Sequence, residues 1–158
     1  MSGKFFSGLL LSLLMTTSAA VAESLEFALS NRHFSATPAE LEQQFGGPDA
    51  VVAGLLELRH KEHPPLVGVR AAQLLLHYTD RPEVVQALED DVSSEIYKGL
   101  ARVVALNIDS VQDAAARQRL ARAAIARAGR EAKFAPYVKK LSQSTDPEVR
   151  RIAGASGG

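Results

Sequence analysis

The sequence predicts an all-α chain in which antiparallel helix pairs stack side by side. Three observations predict it. No segment alternates apolar and polar residues at period two for long, and β-branched residues are sparse and scattered. Short helical patterns follow one another across polar breaks of roughly two to six residues, the spacing of antiparallel helical neighbours. Two apolar patterns recur along the chain, which is how stacked helices bury faces that one hairpin cannot bury alone.

Met1 to Ala22 reads as a secretory signal peptide. Lys4 gives a positive start, Phe5 to Met15 is apolar, and Ala20-Val21-Ala22 is a small-x-small cleavage site. The apolar run is short of the roughly 20 residues a membrane span needs. The expectation is an exported chain, periplasmic or secreted, that starts at Glu23 and has no transmembrane segment after signal removal. Residues 23–36 show no clear element. The repeat domain is expected over 37–156, with 157–158 as a flexible tail.

Thr37-Pro38-Ala39-Glu40 opens the first clear helix, with Thr as cap, Pro at the first helical position and Glu40 returning a bond to the cap. Gly46-Gly47 stops it. Pro48 starts a helix to Arg59, and His60 to Pro64 forms the next break. Pro65 to Tyr78 is a widely apolar helix, so it must be covered on more than one side. A turn at Thr79 to Pro82 leads into a helix ending near Asp91. Ser93 or Ser94 caps the next helix, to about Asn107. A cap at Ser110 to Asp113 starts an Ala/Arg-rich helix that Gly129 ends. A helix follows over about 131–143, beginning or kinking at Pro136. Thr145-Asp146-Pro147 starts the last helix.

The first recurring pattern is Val67, Ala71, Leu74 and Leu75, repeated as Ile96, Leu100, Val103 and Val104 and begun again at Val149 and Ala153. The second is Val51-Val52-x-x-Leu55, repeated as Val84-Val85-x-x-Leu88 and Tyr137-Val138-x-x-Leu141. Both patterns skip over the Ala/Arg-rich helix, which reads as an extra element inserted between repeats. Asp146-Pro147-Glu148-Val149-Arg150-Arg151-Ile152-Ala153 resembles the first helix of a HEAT repeat, and Pro65 to Ala72 is similar to it. The Val-Val-x-x-Leu helices resemble the second helix of that repeat. The resemblance implies a right-handed α-solenoid over about 37–156 that acts as a binding scaffold.

The chain has 18 basic and 18 acidic side chains and no cysteine. Disulfides, thiolate catalysis and cysteine-ligated metal sites are therefore excluded. Charge is unevenly placed. Residues 23–110 hold 14 acidic and 7 basic side chains, whereas 111–158 hold 4 acidic and 10 basic. The basic C-terminal helices are the expected contact for an acidic protein partner. The same helices leave open a polyanion-binding module, and acidic-to-basic self-association is a further possibility. Export and the lack of aromatics among these arginines argue against nucleic acid.

The partner-binding candidates are a stripe of Arg70, Gln73 and His77, a second stripe with Glu95, Lys98 and Arg102, and the cluster Arg119, Arg122, Arg127, Arg150 and Arg151. His60 and His63 have a spacing that can place two imidazoles near a metal, and carry the alternative of a metal-dependent or otherwise enzymatic module. Glu89-Asp90-Asp91 is the densest acidic run and a second cation candidate. No nucleophile elbow, phosphate loop or dinucleotide fingerprint is present. The expectation is an exported protein–protein interaction or scaffold module of the cell envelope, non-enzymatic and without a cofactor.

Overall fold

Proline marks helix starts throughout the chain, because its missing N–H falls where a helix has no acceptor for it. The structure, a computed structural model, describes residues 19–62, 64–94 and 99–156. Among these residues every regular element is helical and no strand occurs. Helix α1 covers 19–30. It is followed by α2 (Pro38–Phe45), α3 (Pro48–Leu58) and α4 (Pro65–Leu75), which tightens into a 3₁₀ turn at Leu76–Tyr78. Next come α5 (Pro82–Ser93), α6 (Leu100–Leu106), α7 (Ala114–Arg130), α8 (Ala135–Leu141) and α9 (Pro147–Ala155), with 3₁₀ turns at Ile108–Ser110 and Ala132–Phe134. No helix among the described residues is long and apolar enough to cross a membrane.

The predicted capping box is formed. The Glu40 N–H donates to Thr37 Oγ1, and the Thr37 N–H donates to the Glu40 carboxylate at 2.7 Å. Gly46, at φ 91°, adopts the left-handed conformation that closes α2. Two boundaries differ from the sequence reading. The α7 cap is Asp113, whose carboxylate accepts the Ala116 N–H at 2.7 Å, while the Ser110 hydroxyl donates to the Asn107 carbonyl. Gly129 does not end α7, which runs on to Arg130; no left-handed backbone is needed there. Ser93 ends α5 and Ser94 is its C-terminal cap, while the residues that would follow a cap at Ser93 or Ser94 lie outside the described residues. Glu95, Ile96, Tyr97 and Lys98 lie outside the described residues, as do the signal segment before residue 19, His63 and the 157–158 tail.

Residues 23–36, where no element was expected, contain most of α1. Leu25 and Leu29 stand one turn apart and are fully buried in the core. The recurring apolar positions form the rest of that core. Val51, Val52, Leu55, Val67, Ala71, Leu74, Leu75, Val84, Val85, Leu88, Leu100, Val103, Val104, Leu141, Val149 and Ala153 are all buried, with Tyr137 and Val138 packed against them.

The helices form two rows. In one, α3 packs on α5, α5 on α7 and α7 on α9; in the other, α4 packs on α6 and α6 on α8. Side-chain ties show that helices within the first row run parallel. Asp49, in the first turn of α3, meets Arg81 at the start of α5, and Arg59, at the end of α3, meets Asp91 late in α5. Arg119 of α7 reaches Gln86 of α5, and Arg127 further along α7 reaches Ser94 beyond the end of α5. Early in α7, Arg117 meets Asp146 at the start of α9.

This alternation corrects the reading of the Ala/Arg-rich helix as an insertion. Helix α7 occupies an ordinary place in its row, with Ala116, Leu120, Ala121, Ala124 and Ile125 buried. The later helices consequently change rows relative to the sequence patterns. Helix α8 falls in the row of α4, and α9 in the row of α3 and α5. The segments at Pro65 and Asp146 that carry the HEAT resemblance therefore lie in opposite rows.

Candidate functional site

Tyr78 and Thr79 end the α4 segment and are buried beneath a polar groove. The 3₁₀ turn at Leu76–Tyr78 tightens the chain so that Thr79, Asp80 and Arg81 line the groove floor and rim. Glu42 and Pro48 approach from one side, and Gln112 and Asp113 from the other. A second lobe continues past Thr79, Asp80 and Asp113 to Pro82, Val85, Ala115, Ala116 and Arg119. The first lobe has a volume of about 370 Å³ and the second about 260 Å³.

The electrostatics of the groove follow from its hydrogen bonds. The Tyr78 hydroxyl donates to Glu42 Oε1 at 2.9 Å. Burial, and then this bond to a carboxylate, push the phenol well above its ordinary value, so it remains a neutral donor. The two cations at the rim bond to side chains outside the groove: Arg81 Nη2 donates to Asp49 Oδ1 at 2.5 Å while also facing Asp80 and Tyr78 electrostatically, and Arg119 donates to Gln86 Oε1 at 2.6 Å and pairs with Glu89. Asp113 accepts the Ala116 N–H in the first turn of α7. Glu42, Asp80 and Asp113 thus leave the groove acidic, with exposed His77 and Gln112 at its mouth. Such a lining suits a cationic group that donates hydrogen bonds.

The expected histidine and acidic sites resolve differently. Asp91 is 4% exposed and both its oxygens are engaged: Arg59 Nε donates to Oδ2 at 2.6 Å, and His60 Nε2 meets Oδ1 at 2.7 Å. Asp90 accepts from Gln86, and Glu89 pairs with Arg119. The acidic run therefore does not converge. Its three side chains tie into three different neighbours, because successive helix positions point about 100° apart. His60 belongs to a strut between the ends of α3 and α5. No group of three or more His, Asp or Glu among the described residues could hold a metal ion.

The arginine candidates are largely internal ties. Arg70 Nη1 donates to the Leu29 and Asn31 carbonyls at 2.5 and 2.6 Å and lies over Phe34, holding the end of α1. Arg127 is 1% exposed, which removes it from any contact surface. Its Nη1 donates to the Ser94 carbonyl at 3.0 Å and its guanidinium lies over Phe134. Its Nη2 faces Glu131 as an ion pair, off the alignment of a hydrogen bond. Arg122 pairs with Glu148 at 3.6 Å, and Arg151 donates to both oxygens of the same carboxylate. The Arg151 bonds hold the Glu148 carboxyl below its ordinary range. Arg150 Nη1 donates to the Ser144 and Thr145 carbonyls. Gln73 and Arg102 are exposed, and Arg102 lies over the Tyr137 ring. Lys98 is outside the described residues.

Sequence reasoning missed the groove apart from His77 and Arg119. Its lining comes from turns spread over residues 42–119, and only the two-row stacking brings them together. It also missed Asp109. Burial alone would raise that carboxyl, but hydrogen bonds from the Ser144 hydroxyl and the Thr145 N–H, together with nearby Arg117, outweigh it and hold the carboxyl below its ordinary value.

Comparison with known protein families, characterised proteins and solved structures gives no significant match.

Proposed function

We propose that the chain is an exported binding module, a right-handed α-solenoid of the HEAT type that acts as a scaffold in the cell envelope without chemistry of its own. The observation that carries this reading is the acidic groove over Tyr78 and Thr79, with its rim cations already matched to Asp49, Gln86 and Glu89. Its occupant is a lysine or arginine side chain from a protein partner. The solenoid part of the reading is supported by the two-row packing and by ties between residues 29 to 33 positions apart along the first row. Each tie fixes one helix against its counterpart a repeat later, which makes a rigid edge for presenting the groove.

One observation favours a second reading, in which the partner is acidic. Lys139 and Lys140 are exposed in the last turn of α8, beside Arg102 over Tyr137. Affinity capture of the tagged exported protein from the envelope fraction separates the two. The groove reading expects a basic partner that is lost in Asp80→Lys and at high salt, since raising salt to about 1 M shortens the screening length from about 8 Å to about 3 Å and weakens exposed charge pairs. A partner retained in Asp80→Lys but lost when Lys139 and Lys140 become Glu moves the contact to α8. Recovery of the chain alone, from every variant, contradicts the scaffold reading.

A further inference from the structure

The last four residues of the segment expected to be cut on export, 19–22, lie in α1 among the described residues, and Ala22 is buried. Ala20, Val21 and Ala22 lie within α1, and Ala22 is 4% exposed. Helix α1 packs directly on α3 at Gly54. A methyl group placed on Gly54 would lie 3.0 Å from Leu25 Cδ2, 3.8 Å from Ala22 Cα and 4.0 Å from Val21 Cγ1. A methyl there would press on the end of the Leu25 side chain, and a branched side chain at 54 would push α1 away. Further along, Leu25 and Leu29 are fully buried, Lys61 Nζ donates to Glu26 at 2.9 Å, and Arg70 holds the carbonyls of Leu29 and Asn31. The Ala22–Glu23 bond therefore lies in a helix whose Ala22 packs toward α3 and whose C-terminal end is held by Arg70.

Proteases nick exposed, flexible chain, and a folded site is cut only through the fraction of molecules that open. We infer that docking of α1 on α3 closes the Ala22–Glu23 bond to processing, so the cut and the docking compete and the cut must come first. This rests on the reading of residues 1–22 as a cleavable leader. Hydrolysis there consumes one water and leaves a carboxylate on Ala22 and an amine on Glu23. A chain that folds before it is cut keeps its leader, with Ala22 as a core residue.

The test uses the full 158-residue chain, folded or held in urea concentrations the peptidase tolerates, incubated with a signal peptidase in detergent. Products are read by intact mass. The expected result is a product starting at Glu23 that forms at least tenfold more slowly from the folded chain. Gly54→Val, which leaves the cut sequence unchanged and pushes α1 off α3, and the milder Arg70→Gln should both restore cutting. Equal rates from folded and loosened chains overturn the inference while leaving the leader reading intact. No product from any form, including the chain in urea, overturns the leader reading and the inference with it.

Discussion

The Asp91→Ala substitution removes a carboxylate that is 4% exposed and lies between Arg59 at 2.6 Å and His60 at 2.7 Å. Hydrogen bonds to a charged group contribute about 1.5–3 kcal/mol each. Breaking a fully buried pair costs about 3–5 kcal/mol, because the partner's charge is left behind. Here the partners keep some solvent, with Arg59 19% and His60 33% exposed, so water recovers part of the loss. The expected cost is about 2–3 kcal/mol. At about 2–4 °C per kcal/mol for a chain of this size, the melting temperature should fall by about 4–12 °C. Urea unfolding followed by circular dichroism measures the loss. A double-mutant cycle with Arg59→Ala should return a coupling of about 1–2 kcal/mol between the ends of α3 and α5. A loss below about 0.5 kcal/mol, or strict additivity in the cycle, would refute the strut, since unrelated surface changes stay within that range.

Other perturbations address the rest of the stack. Leu120→Ala, in the middle of α7, should cost about 2–5 kcal/mol in the same denaturation assay; a cost near zero would return α7 to the status of an extra helix inserted between repeats. Asp146→Ala removes the α9 cap, which accepts from Glu148 and Val149 N–H, together with the pair to Arg117 at 3.1 Å. It should cost about 1–3 kcal/mol and increase amide exchange in α9 before the other helices. Asp109 has a folded pKa below its unfolded value, so its contribution is complete above about pH 4 and is lost as pH falls through the folded value. Asp109→Asn should therefore flatten the acid side of the stability profile below about pH 4 relative to the unsubstituted chain; parallel profiles would contradict the assignment.

The apolar skeleton was legible because burial in a helix follows a fixed period. Val67, Ala71, Leu74 and Leu75 recur as Leu100, Val103 and Val104 at the expected shift, and every one is buried. Helix starts at Pro38, Pro48, Pro65, Pro82 and Pro147 were legible for an equally local reason. Row order was not. The shared skeleton of Val51, Val84 and Tyr137 suggested one class of helix, yet α8 stands in the other row, since a row is set by the number of intervening helices and not by the motif. The arginine cluster misled for a related reason. Sequence shows charge but not reach, and Arg119 and Arg127 extend across to the Glu89 carboxylate and the Ser94 carbonyl, about 30 residues away. The groove needs three turns brought together, and no local pattern encodes that.

The measurement closest to the central claim is site-specific photo-crosslinking in the intact envelope. The crosslinker is placed in turn at Gln112, exposed at the groove mouth, and at Lys139 on α8. The account predicts a discrete adduct from Gln112 that maps to a lysine- or arginine-bearing segment of another protein and disappears in Asp80→Lys. Adducts from Lys139 alone, or a Gln112 adduct indifferent to Asp80→Lys, would contradict it.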